Sequence, residues 1–154
     1  DKLQILLASQ KDKTLTPELI EQNVGISKEY NNFELLTALI RRDAARAYRI
    51  ALYFASDERN HPIQMTLSTL FGFFSNLMAV YYIAQPNERS IASLLGVQPF
   101  VARDYDLARR GYSAAQTFAI IHQIRLIDAY SKGVDANIPT SQLYSELVSR
   151  ILAA

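Results

Sequence analysis

The sequence predicts an all-α protein, a helical bundle of about five to seven helices, and three observations carry that prediction. Apolar residues recur at three- and four-residue spacing: Leu36, Leu39 and Ile40, then Ala47, Ile50, Ala51 and Phe54, and finally Leu143, Leu147 and Ile151. From His61 to Asn87 no residue carries a formal charge except His61 when protonated, which suits a helix at the centre of a bundle. The 5 glycines and 5 prolines fall mainly at segment boundaries, Gly72 being an exception.

A chain of 154 residues, 49% hydrophobic and 20% charged, is long enough for one sizeable core with a small appendage. Its 16 basic and 15 acidic residues leave a formal charge of +1, which argues against a dedicated nucleic-acid binder. With no cysteine there is no disulfide, thiolate catalyst or Cys-based zinc site, and with no secretory signal a cytoplasmic setting is expected. The sequence begins at Asp1 without methionine and runs at once into the apolar LQILLAS, so a fragment of a longer protein is expected.

Lys2 to Gln10 and Pro17 to Asn23 read as two short helices, the second capped by Thr16 and opened by Pro17, with Glu18 and Glu21 complementing its dipole. Gly25 to Leu35, GISKEYNNFEL, combines a stop, a polar link and a start. Gly25 can end a helix in the left-handed conformation, and Asn31 or Asn32 can cap the helix opening at Phe33. Helices are expected over Phe33 to Arg41 and Asp43 to Ala55. Arg42, Arg46 and Arg49 line one helix face that could meet a phosphate backbone, a solvated face or a salt-bridged subunit contact being the better reading.

Pro62 to Ala84 reads as the central helix, about 35 Å long at ~1.5 Å per residue. Ile63, Leu67, Leu70, Phe71, Phe74, Leu77, Met78 and Tyr81 form its stripe, and Met65, Phe73, Val80, Tyr82 and Ile83 occupy its other faces, so cover nearly all round is expected. Its length would reach across a membrane, but Gln64, Thr66, Ser68, Thr69, Ser75 and Asn76 make its first half too polar for lipid. Gly72 sits mid-helix, where glycine costs about 1 kcal/mol relative to alanine, and predicts close approach of another backbone.

Ile91 to Arg109, IASLLGVQPFVARDYDLAR, mimics a helix-turn-helix: Ala92, the turn glycine Gly96 and Val97, with Pro99 opening the second helix. A DNA-reading version would present Gln98, Phe100, Arg103, Asp104 and Leu107. Glu88, Asp104 and Asp106 nearly cancel Arg89, Arg103, Arg109 and Arg110, so packing geometry is the better reading, with Phe100 and Leu107 at least partly covered by neighbouring helices or by a partner subunit. Ser113 to Lys132 follows as a long helix with overlapping stripes Phe118, Ile121, Ile124 and Ile120, Ile124, Ile127, an Asp128–Lys132 pair and a Gly133 cap. The last helix, Pro139 to Leu152, is capped by Thr140 or the loop before it.

Thr16 to Phe54, TPELIEQNVGISKEYNNFELLTALIRRDAARAYRIALYF, resembles the lid-to-collar junction of the clamp-loader delta subunit of bacterial DNA polymerase III, in wording near to Bacteroidetes-type members. The Leu-Gly-Val turn followed by Pro-Phe, and the Asp then Lys-Gly closing the long helix, are similar to the same family. The resemblance implies that residues 1–27 are a remnant of a AAA+ lid and residues 28–154 a C-terminal helical collar domain. It further implies assembly without chemistry. The partners would be other clamp-loader subunits, with the sliding clamp and primed DNA reached only through the whole complex. No cofactor, metal, small-molecule substrate or membrane is implied, and no enzyme activity for this part, although the parent belongs to a nucleotidyltransferase holoenzyme. Tyr81, Tyr82, Phe100, Arg125 and Tyr144 are the candidate contact residues. The alternatives are a helix-turn-helix DNA-binding regulator and, behind it, a helical enzyme with an unrecognised site.

Catalytic patterns are not found in the sequence. His61 precedes a proline and His122 stands alone on a long helix, with no ligand spacing around either. No phosphate-cradling glycine loop and no Ser-His-Asp arrangement is visible. Glu18 with Glu21 and Asp57 with Glu58 read as capping or solvated carboxylates.

Overall fold

A computed structural model describes residues 30–154 of the chain, so the expectations for the two short N-terminal helices, the Thr16 cap, the Gly25 stop and the lid lie outside the described residues. Asn32–Ala154 is one compact unit. It is all-α, with seven helices among the described residues: α1 Asn32–Ile40, α2 Ala44–Ser56, α3 Ile63–Val80, α4 Glu88–Leu95, α5 Pro99–Gly111, α6 Ala114–Ser131 and α7 Thr140–Leu152.

The boundaries follow local chemistry. Asp43 precedes α2 and accepts from the Arg46 amide, and reciprocal boxes start α4 (Asn87 with Ser90) and α6 (Ser113 with Gln116). Pro99 takes the first turn of α5. Gly96 closes α4 at φ 66° and Gly133 follows α6 at φ 80°, both in the left-handed region glycine tolerates. Asn32, one of the two asparagines expected as caps, is itself helical, and its Oδ1 accepts from Thr66 of α3 at 2.7 Å.

α3 stops at Val80, four residues short of the expected Ala84. The amides of Tyr82 and Ile83 turn back to Ala79 and Val80 in tight i to i−3 bonds, and Pro86 disfavours helix in the residue before it.

α2 lies along α7, α3 along α6 and α4 on α5, while α6 also packs on α7 and α1 on α2, α3, α5 and α7. The shared core holds Leu39, Ile50, Phe54, Leu70, Phe74, Ile120, Leu143 and Ile151, all at 0% exposure. Each such residue contributes about 1.5–3 kcal/mol of hydrophobic stabilisation. Two ring contacts knit the layers: Phe73 stacks on Tyr105 with centroids 4.3 Å apart, and Phe74 meets Tyr112 edge-on at 5.8 Å.

α3 is long and apolar enough to cross a membrane, but its Ile63, Leu67, Leu70, Phe74 and Leu77 face is interior to the bundle. The expected cover nearly all round is not supplied by the described residues. Gln64, Met65, Ser68, Gly72 and Asn76 are exposed, because α1, α5 and α6 flank the helix and nothing described lies over its outer face. The stripe on α6 divides likewise: Ile120, Ile124 and Ile127 are buried, whereas Phe118 is 69% exposed.

Candidate interaction surface

The exposed ridge of α3 carries no charged side chain and separates two apolar depressions. On one side α1, α3 and α5 enclose an open recess of ≈ 490 Å³, with Phe33, Leu36, Phe73, Phe100 and Tyr105 in its walls and Gly72 on the α3 side. On the other, the seam between α3 and α6 holds hollows of ≈ 330 and ≈ 340 Å³ that share Phe71 and Arg125. Ser68 borders both sides, so the two depressions form one continuous face.

Gly72 corrects an expectation. A Cβ built there meets nothing within 4 Å, so no backbone of the described chain crosses this point. The helix accepts the glycine penalty of about 1 kcal/mol with no packing return among the described residues, and the space opens onto the recess. Phe100 and Leu107 are 67% and 41% exposed, the partial cover expected of them, and Phe33 and Met65 are 71% and 60% exposed.

The candidate contact residues separate by environment. Tyr82 projects at 88% exposure and Phe100 walls the recess. Arg125 lies 5.4 Å from the Phe71 ring centre, within cation–π range. Tyr81 and Tyr144 face inward instead. The Tyr81 hydroxyl donates to the Tyr112 carbonyl and pairs with Thr117 Oγ1 at 2.9 Å. Tyr144, 1% exposed, donates to the His61 carbonyl and leaves no surface for a partner. Burial, seconded by Glu58, pushes the Tyr144 hydroxyl up to about 12.

The expected arginine face is also rearranged. Arg42 is not on α2: it sits in the turn before it at φ 53°, and its guanidinium bonds the carbonyls of Gly111 at 3.1 Å and Leu152 at 3.3 Å. Arg46 pairs with Glu34 at 3.3 Å and Arg49 is solvated.

Three arginines of the helix-turn-helix region are paired within the chain, while Arg89 is exposed. Arg103 reaches Glu88 at 3.3 Å, while Arg109 and Arg110 hold Asp106 at 2.7 and 3.0 Å. Desolvation raises the Asp104 carboxyl, and Arg41 and Arg103 pull it back down.

His61 stacks on Phe54 with centroids 4.5 Å apart, and His122 lines the seam. No group of three His, Asp or Glu side chains among the described residues could hold a metal ion. Asp57 ends α2 and accepts from the Asn60 amide at 2.9 Å, a turn-fixing role. What this surface offers chemically is apolar area, shape, the stacked Arg125 cation, and the carboxylates of Asp104 in the recess and Asp128 in the seam. Compared with family models, characterised proteins and solved structures, the chain matches none.

Proposed function

We propose that this chain is an assembly module: the helical collar domain of a clamp-loader delta-type subunit, which joins its neighbours in the complex that loads the sliding clamp on primed DNA. The observation that carries the assembly reading is the charge-free outer face of α3 with exposed Phe33, Met65 and Phe100 around it. An uncharged polar strip flanked by exposed Phe33, Met65 and Phe100 can be desolvated at low cost, as the centre of a protein contact requires. Gly72, which packs against nothing among the described residues, leaves that face accessible to a partner side chain. The likeness of Thr16 to Phe54 to the delta junction supplies the identity of the complex.

The DNA-regulator alternative is less well supported, because Arg103, Arg109 and Arg110 are each engaged by a carboxylate of the chain. The test is association of the chain with the C-terminal domains of the other loader subunits from the same source, by light scattering after size exclusion at physiological salt. Complex formation that Phe100→Ser weakens is expected, with only weak, sequence-indifferent duplex binding. Failure to associate, together with tight sequence-selective DNA binding lost in Arg103→Ala, overturns the proposal.

A further inference from the structure

We infer that the seam between α3 and α6 is a docking groove for an amphipathic helix that brings carboxylates, contributed by a different protein. This deepens the assembly reading, on which it rests, by assigning a partner chemistry to one part of that face. The groove floor is Phe71 and Ile121, its far end Met78 and Phe118, and its one uncompensated cation Arg125. Arg125 makes no ion pair or hydrogen bond within the described residues and is held only by the Phe71 ring. The carboxylate at the other end, Asp128, is already engaged by Lys132 at 2.9 Å.

Three features select the occupant. The α3 positions that line the seam run from Gln64 to Met78, about 21 Å of helix, the length of about four turns of a third helix laid beside α3 and α6. No sheet edge exists among the described residues to receive an extended strand. The unpaired guanidinium, desolvated on one side by an aromatic ring, is a preformed partner for a carboxylate and a residue type enriched at contact centres.

The experiment uses the full chain and two designed helical peptides of about 16 residues, each with leucines at one-face spacing. One peptide carries flanking glutamates and the other lysines at the same positions. Fluorescence anisotropy should show the acidic peptide binding and the basic peptide weaker by about tenfold or more. Arg125→Glu should reverse that preference. Phe118→Ser, at a side chain too exposed to matter for folding, should weaken the acidic peptide without reversing the order. Equal binding of both peptides, binding of neither, or a preference that Arg125→Glu leaves unchanged overturns the inference. Self-association of the chain abolished by Arg125→Glu, or binding to anionic lipid vesicles in place of peptide, overturns it too. If loader subunits associate while the peptides do not, the docking groove fails and the collar stands. If the peptides bind while loader subunits do not, the collar fails and the groove stands.

Discussion

The guanidinium of Arg42 lies 4.2 Å from the ring centre of Tyr112, which is itself buried and donates its hydroxyl to the carbonyl of Leu39. Through this one stack the last turns of three helices are joined. Leu39 belongs to the end of α1, and Arg42 bonds the terminal carbonyls Gly111 of α5 and Leu152 of α7. Helix C-termini carry unpaired carbonyls and negative dipole ends, so a cation shared between two of them satisfies acceptors and field together. The left-handed φ of Arg42, unusual for a non-glycine residue, accompanies the path of its side chain across the Tyr112 ring at the surface.

Arg42→Ala should therefore lower stability by about 1–2 kcal/mol, combining one cation–π contact with two charge-assisted hydrogen bonds. For a domain of this size that is a fall of roughly 3–8 °C in Tm by calorimetry. Arg42→Lys should recover little, because an ammonium can neither fork to two carbonyls nor stack flat on the ring. Full recovery by lysine would show that only the charge matters.

Gly72→Ala should raise the thermal midpoint, reversing the over-packing effect that close helix approach would have produced. Helix propensity favours alanine by about 1 kcal/mol, and the added methyl meets nothing within 4 Å. The same substitution should weaken partner association if the recess is occupied in the complex, a split between stability and binding that one sample can report. A lowered midpoint in the isolated chain would mean that the glycine is needed inside it.

Much of the fold was legible because helical spacing marks buried faces directly, as with Ala47, Ile50, Ala51 and Phe54, every one at 1% exposure or less. The surface was less legible, for a physical reason. Periodicity reports which residues are apolar but not whether the chain has enough helices to cover them, so Phe118 read as core alongside Ile120 and Ile124. Arg42 was misplaced because an arginine one position before a cap looks helical in sequence, while its stack on Tyr112 joins it to a residue 70 positions further on in the numbering. Tyr144 and Tyr81 looked like contact anchors since a tyrosine suits an interface and an interior hydrogen bond equally well. The absence of charge along α3 was the one sequence signal pointing to the candidate face, and it was read as full burial.

Asp106→Asn should cost about 2 kcal/mol, because it leaves the largely covered guanidinium of Arg109 without its counter-charge while that group also bonds the Pro86 carbonyl at 3.1 Å. The expected structural consequence is loosening of the connection between α3 and α4, seen as faster amide exchange around Asn87. Arg103→Ala is the control: its partner Glu88 is on the surface, and loss of an exposed pair should cost less than about 1 kcal/mol. Equal effects from the two variants would deny Asp106 its anchoring role.

Alkaline pH should unfold the domain through its tyrosines. Burial raises the hydroxyls of Tyr81, Tyr105 and Tyr112, and burial followed by Glu58 pushes Tyr144 up to about 12. Each is neutral when protonated, with an unfolded value near 10, so between about pH 10 and 12 the folded chain binds more protons than the unfolded chain. Stability from these groups is complete below about pH 10 and is lost as pH rises through the folded values. Urea midpoints should hold steady to about pH 9 and then fall. Tyr144→Phe, which keeps the ring but removes the ionisable hydroxyl, should make the fall shallower. Because the chain has no tryptophan, tyrosinate absorbance can be followed without interference on the same samples. Complete tyrosinate formation in a still-folded chain, or an alkaline slope unaltered in Tyr144→Phe, would contradict the buried hydroxyl network that ties α7 to the His61 turn.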